Sequence, residues 1–293
     1  MHFGGIIVAP GYTDQVKFAD GNPYGVGLVA NRDNVESLDD STNAALDHLA
    51  RRVVAIAGRS TPDGHPRAGS RPLTTYLLVP GGGCDPSCWR FVVDELANRG
   101  HRGIAIDLPC EDDCADLNAY ADAVVEQHRD DGEPPIVVAH SFGGFTGALA
   151  CTRVNASALI YLSAMIPRPG ERPDDWWSAT DCAGAQRRAA LAGGYDLDDV
   201  NELYYNGVDA AIIAEEVERG QSGTPSEQPW PAPELPRIPT RFVLFGDDRF
   251  FPEHFMRAVV ADRLGIDPES TPGGHMAMLS HPVELTERLV AHR

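Results

Sequence analysis

Basic side chains are scarce in this 293-residue chain: Lys and Arg number 24 against 43 Asp and Glu, for a formal net charge of −19. A field of that sign repels nucleic acid and anionic membranes unless a basic patch interrupts it, and no Lys/Arg-rich run does so. The acidity is better read as serving solubility. Long apolar runs are missing as well. No stretch approaches the roughly 18–20 apolar residues needed to span a bilayer. The first residues, MHFGGIIVAPGY, lack the basic start and long apolar stretch of a signal peptide, so a cytoplasmic location is expected. Six cysteines (Cys84, Cys88, Cys110, Cys114, Cys151, Cys182) do not make a disulfide framework in a chain this long. The Cys84/Cys88 and Cys110/Cys114 pairs are spaced like metal ligands, but no His pairs accompany them. Small buried or loop thiols are the better reading, and no metal is expected. Internal repeats and low-complexity tracts are absent.

What is present reads as ordinary globular protein. Apolar residues make up 43% and charged residues 23%, enough for one large domain or two small ones. Residues 58–74, GRSTPDGHPRAGSRPLT, are dense in Gly, Pro, Ser and Arg, a linker composition. They divide a short segment, 1–59, from a long one, 74–293, with 60–73 as the linker proper.

The long segment alternates strands and helices. Short apolar runs at 74–80, 102–109, 135–141, 157–165 and 240–248 read as strands. Helical spacing marks 89–100, 117–129, the small-residue stretch FGGFTGALACTRV and the closing TERLVAHR. Continuous apolar strands separated by helices imply an α/β fold with a mostly parallel sheet covered on both faces. From about 166 to 239 the alternation stops. That region holds Trp176, Trp177, Tyr204, Tyr205 and Trp230, a helical stretch around 208–219 and a Pro-rich exit at 229–239. A cap inserted over the C-terminal ends of the strands is the natural reading.

The strongest local signal is Ala139-His140-Ser141-Phe142-Gly143-Gly144, between a buried strand and a small-residue helix. A serine on so sharp a strand-to-helix turn is held exposed near a helix N-terminus, as in G-x-S-x-G, here with Ala139 in the first glycine's place. The bland alternative is a serine capping a helix. A serine hydroxyl needs a base, and Gly273-Gly274-His275-Met276 supplies one after the last strand. His101, His128 and His140 lie on helices or strand ends elsewhere, and His281 follows the loop. The imidazole needs a carboxylate to hold one tautomer. Phe245-Gly246-Asp247-Asp248 ends a strand, and Asp248, four residues before Pro252, is preferred; Asp247 could simply cap the turn. An oxyanion needs preorganised N–H donors, each worth roughly 3–4 kcal/mol. Gly82, in the Gly81-Gly82-Gly83 loop, and Phe142 are the expected donors. No GxxxxGK[ST] accompanies that loop, so phosphate binding is a weak reading.

With these residues in view, the chain from about 74 to 293 resembles the α/β-hydrolase superfamily, and within it the branch of small methylesterases and hydroxynitrile lyases. The resemblance rests on Leu78-Val79-Pro80-Gly81-Gly82-Gly83 with Cys88-Trp89, on Gly100-His101 followed by Ile106-Asp107-Leu108-Pro109, on His140-Ser141-Phe142-Gly143-Gly144, and on the run from His275 to Pro282. It implies a serine esterase with Ser141, Asp248 and His275 as its triad and no cofactor. Two departures matter. The family usually has His where Pro80 stands, which leaves the oxyanion loop's detailed hydrogen bonding open. Lyases of this branch carry Lys directly after the catalytic His; Met276 stands there instead, as in the esterases.

Residues 1–59 resemble the C-terminal end of flavodoxin-like NAD(P)H:quinone oxidoreductases, through Gly4-Gly5-Ile6-Ile7-Val8-Ala9-Pro10-Gly11-Tyr12, Gly21-Asn22-Pro23-Tyr24-Gly25 and a helix from Ser41 to Ala57. The phosphate-binding loop that would hold FMN is not among them, so flavin binding is not inherited. The segment reads as a fusion remnant, or as a docking element for a partner or for a second copy in a homodimer.

The expected substrate is a small ester, apolar or aromatic, with Trp176 and Trp177 of the cap touching it, although cap aromatics often form only a small core of their own. Lactone, amide or carbon–carbon bond cleavage, or cyanohydrin lysis, could use the same triad. A non-catalytic interaction protein is the reading from another class; the complete, correctly ordered triad argues against it.

Overall fold

Strand residues that run apolar without alternation need a sheet buried on both sides. In the computed structural model, which describes residues 74–128, 132–217 and 219–291, the sheet is buried in that way. The chain divides into two units, Met1–Arg71 and Pro72–Arg293. Everything below concerns the second unit; the expectations for residues 1–59 and for the 60–73 linker lie outside the described residues.

The strands are β1 (Thr75–Val79), β2 (Arg102–Ala105), β3 (Ile136–His140), β4 (Ala158–Leu162), β5 (Thr240–Phe245) and β6 (Glu269–Thr271). They form one sheet in the order β2-β1-β3-β4-β5-β6, every pair parallel. Successive side chains alternate between faces, and both faces meet apolar partners. Leu77, Val79, Val137, Ala139, Leu159 and Tyr161 join one buried cluster with Tyr120, Phe145 and Trp176. Tyr76, Leu78, Val138, Ile160, Leu162 and Phe245 join another with Trp89, Leu96 and Leu285. Five strands stand where apolar runs stood in the sequence. The sixth, Glu-Ser-Thr, has no apolar signature and is placed by its register on β5, Val243 opposite Glu269.

Between the strands lie α1 (Arg90–Asn98), α2 (Leu117–Gln127) and α3 (Gly143–Arg153). Asp116 opens α2 by accepting a hydrogen bond from the Ala119 amide at 2.9 Å, satisfying one of the free donors of the first turn. Between β4 and β5 the described residues form five helices: α4 (Pro173–Thr180), α5 (Cys182–Gly193), α6 (Val200–Tyr204), α7 (Ala210–Ile213) and α8 (Thr224–Glu227). The helix expected around 208–219 is thus a single turn. Asp209 caps it through the Ala211 amide, and the chain then leaves helical geometry as Glu215 and Glu216 turn to Arg90 of α1. After β5 follow α9 (Glu253–Leu264), α10 (Ala277–Ser280) and α11 (Pro282–Val290). Pro282 sits in the first turn of α11, where its missing N–H costs nothing.

The cap segment is tied to this body at both ends. Trp230 Nε1 donates to the Phe145 carbonyl of α3 at 3.1 Å. The nearly buried Arg263 of α9 holds Glu171 with its two terminal guanidinium nitrogens and also donates to the Ile166 carbonyl at 2.6 Å. Among the described residues no helix is long and apolar enough to cross a membrane.

The strand order reverses between β1 and β3, whose crossovers leave in opposite directions across the sheet. In open α/β sheets such a switch point leaves a crevice beyond the carboxyl ends of the strands. The loop after Val79 and the turn after His140 meet there.

Candidate active site

Ser141 follows β3 directly and has φ 53°, a left-handed conformation that costs an L-residue roughly 1–2 kcal/mol. Neighbouring backbone holds it there. The Ser141 amide donates to the Leu162 carbonyl at 3.3 Å, and its carbonyl accepts from Gly144 at 3.1 Å and Met165 at 2.9 Å. Room for so tight a turn comes from missing side chains. A Cβ on Gly144 would lie 1.9 Å from the Met165 carbonyl oxygen, and one on Gly143 2.3 Å from that of Pro80.

His275 sits between β6 and α10, 134 residues from the serine, with its Nε2 3.0 Å from Ser141 Oγ. Its Nδ1 is 2.9 Å from Asp248 Oδ2. An ionised carboxylate can only accept, so Nδ1 carries the proton and the Nε2 lone pair faces the hydroxyl, which donates. The other Asp248 oxygen accepts from the amides of Phe250 at 2.9 Å and Phe251 at 2.8 Å. Asp248, rather than Asp247, therefore meets the imidazole. Asp247 instead braces the loop ahead of it, its carboxylate accepting from the Gly273 amide at 3.2 Å and its own amide donating to the Gly273 carbonyl at 3.0 Å.

Exposure of the three side-chain-bearing residues is 7% for Ser141, 4% for Asp248 and 2% for His275. Phe250, Phe251 and Tyr204 wall the imidazole, with ring centroids 4.7, 5.3 and 5.7 Å away. Exclusion of water strengthens every electrostatic contact inside such a wall. His140, set aside in the sequence as a strand-end residue, lies directly beneath: its Nε2 donates to the His275 carbonyl at 2.9 Å. Burial, reinforced by the adjacent His275, pushes its pKa well below 6.5, so it stays neutral.

A cavity of about 320 Å³ opens over this group. Gly81, Gly82, Ser141, His140 and His275 form its floor, and Tyr204, Tyr205, Glu216, Val217, Arg219 and Gln221 of the cap form its walls. Gly82 lines it, and Phe142 lies next to Gly82, its Cβ 3.7 Å from where a Gly82 Cβ would be. Cys84 and Cys88 also line it. Burial raises the Cys84 thiol to about 12 and lifts that of Cys88 well above its ordinary value, so neither offers a thiolate. Among the described residues no cluster of His, Cys, Asp or Glu is arranged to hold a metal ion.

The tryptophans expected on the substrate lie elsewhere. Neither Trp176 nor Trp177 lines the cavity. Trp176 is fully buried against Phe251 and Phe255, and Trp177 packs on Phe250 and Phe251, one layer behind the imidazole wall. Rings of that area are retained where they fill a core, and α4 turns these inward. The walls come instead from Tyr204, Glu216 and Gln221, whose sequence neighbourhoods carry no motif.

The model of the alpha/beta hydrolase family matches residues 76–288. Norfluorocurarine synthase 1 of Strychnos sp is 23% identical over 247 residues, 73% of this chain and 93% of that protein. An NAD(P)H dehydrogenase (quinone) of Deinococcus radiodurans is 38% identical over 60 residues, 20% of this chain and 28% of that protein, so the chain spans little more than a quarter of that relative's length. The crystal structure of a pyrethroid hydrolase from Sphingobium faniae JZ-2 has the same fold, with a TM-score of 0.61 at 23% identity over 75% of this chain and 97% of that one.

Proposed function

Because this chain belongs to the alpha/beta hydrolase family, we propose that it is a serine hydrolase that cleaves small carboxylic esters through an acyl-enzyme. The observation that carries this reading is the unbroken chain of contacts from Ser141 Oγ to His275 Nε2 at 3.0 Å and from His275 Nδ1 to Asp248 at 2.9 Å, at the floor of a cavity. His275 takes the hydroxyl proton as Ser141 Oγ attacks the ester carbonyl. The carbonyl oxygen becomes an oxyanion held by the amides of Gly82 and Phe142, each worth roughly 3–4 kcal/mol at the transition state. Asp248 keeps the imidazole in the tautomer that can accept and stabilises the imidazolium that forms. His275 then returns the proton to the departing alcohol, and water, deprotonated by the same imidazole, releases the acid.

The cavity volume, at the low end of the usual range for small-molecule sites, favours short esters. Its walls mix aromatic and polar groups, so an apolar or aromatic acyl group fits beside Tyr204 and Tyr205 rather than on the tryptophans. Hydrolysis of p-nitrophenyl esters from acetate to decanoate tests the proposal. Turnover is expected to be highest at short chain length and abolished in Ser141→Ala. Equal turnover by that variant would rule the mechanism out.

A further inference from the structure

The loop that carries the Gly82 amide has little of its own to hold it. Gly81, Gly82 and Gly83 bring no side chains, and Gly83 has φ 66°, so the backbone has more freedom than any other tripeptide would give it. Pro80, ahead of it, has neither an N–H nor a polar side chain. The internal turn bond, from the Cys84 amide to the Gly81 carbonyl, is long at 3.4 Å. The loop is held from the cap instead. Gln221 Oε1 accepts from the Gly83 amide at 2.9 Å, across 138 residues of sequence. Its other end is fixed, with Nε2 donating to Tyr120 Oη of α2 at 3.0 Å and to the Ser222 carbonyl at 2.9 Å.

The segment around Gln221 is fastened in turn. Arg219 pairs with Asp107 at 2.6 Å, the Ser222 amide donates to the Cys110 carbonyl at 2.7 Å, and Thr224 Oγ1 donates to the Asp113 carbonyl at 2.7 Å. Each partner lies in the loop between β2 and α2.

We infer that Gln221 is a positioning residue for the oxyanion hole: by taking the Gly83 N–H it fixes the Gly82–Gly83 peptide, which restrains the adjoining Gly81–Gly82 peptide and leaves the Gly82 N–H as the donor facing Ser141. The hole is therefore complete only with the cap segment docked, and the cap contributes to transition-state binding without touching the reacting atoms. This rests on the esterase reading above. A donor out of line by a fraction of an ångström loses much of its value to an oxyanion while substrate binding is little affected.

The test compares Gln221→Met, which keeps the side-chain length and removes the acceptor, with Tyr120→Phe, which keeps the acceptor. With p-nitrophenyl acetate, Gln221→Met is expected to lower kcat about 10- to 100-fold with KM within about threefold, and to weaken inhibition by phenylboronic acid, a tetrahedral mimic, by a similar factor. Tyr120→Phe should change kcat by less than about threefold, since the Gly83 contact survives. Unchanged kcat and boronate affinity in Gln221→Met overturn the inference, as does a raised KM at constant kcat, which would make Gln221 a substrate contact. If Gln221→Met does not fold, Gln221→Asn, one methylene short of Gly83, is read by the same criteria. Hydrogen exchange at the Gly83 amide provides a readout independent of activity. It should speed up in the variant, and equal exchange contradicts the inference even if the wild type proves not to be an esterase.

Discussion

Replacing Asp248 by Asn should cost about 10⁴-fold in kcat, some 5 kcal/mol of transition-state stabilisation, with little loss of fold. The hydrogen-bond arrangement makes the outcome directional. One carboxylate oxygen accepts from two buried amides, Phe250 and Phe251. Turning the asparagine NH₂ toward them would set donor against donor and leave both amides unpaired, at about 1–3 kcal/mol each. The carboxamide oxygen therefore stays on the amides, and the NH₂ faces His275 Nδ1. To accept there, the imidazole must move its proton to Nε2, and that nitrogen then presents a hydrogen to Ser141 Oγ instead of a lone pair. The base is in place but in the wrong tautomer. Initial rates with p-nitrophenyl acetate near neutral pH measure the loss, and thermal unfolding verifies that the chain is intact. Asp247→Asn is the comparison: Asp247 braces the Gly273 backbone and does not reach the imidazole, so a loss of tenfold at most is expected. A folded Asp248→Asn enzyme within tenfold of wild type would refute the tautomer argument.

Three further perturbations separate strain, burial and catalysis. Ser141→Gly relieves a left-handed non-glycine backbone and should raise stability by about 1 kcal/mol in urea unfolding while abolishing turnover; a less stable variant would mean that φ 53° carries no strain. Trp176→Ala should destabilise by about 3–5 kcal/mol yet leave KM for short esters nearly unchanged, because the ring is core; a KM shift in folded protein would return it to the substrate. His140 is buried and neutral, its pKa held well below 6.5. Below that pH the unfolded chain binds the extra proton, so stability is present above about pH 6.5 and declines as pH falls, by up to about 1.4 kcal/mol per pH unit from this group. His140→Gln should flatten that slope in urea midpoints between pH 5 and 7.5, and an unchanged slope would contradict the assignment.

The sheet was legible because its central strands are buried on both faces, so β1, β3, β4 and β5 appear as unbroken apolar runs. The three-residue β6 was not, since Glu269 and Ser270 earn their place only by pairing with β5. Ser141 and Asp248 could be picked out because each follows the end of an apolar strand, with Gly143 and Gly144 leaving room beside the serine, and His275 because its Gly-Gly-His-Met run stands between the last apolar strand and the closing helix. Convergence of the three side chains, and the division of labour between Asp247 and Asp248, are properties of geometry that neighbouring positions in sequence do not reveal. The cap was hardest to read. Its last three helices are of four or five residues, the connecting turns are fixed by distant partners, as Glu216 is by Arg90 and Gln221 by Gly83, and two adjacent tryptophans suggested a binding wall where the structure has a core.

Labelling with a fluorophosphonate, followed by peptide mapping, tests the central claim most directly. One adduct is expected, on Ser141 Oγ, forming at least about 100-fold more slowly in His275→Ala because the general base is gone. An adduct on another residue, or labelling of Ser141 at an undiminished rate without His275, would contradict the account.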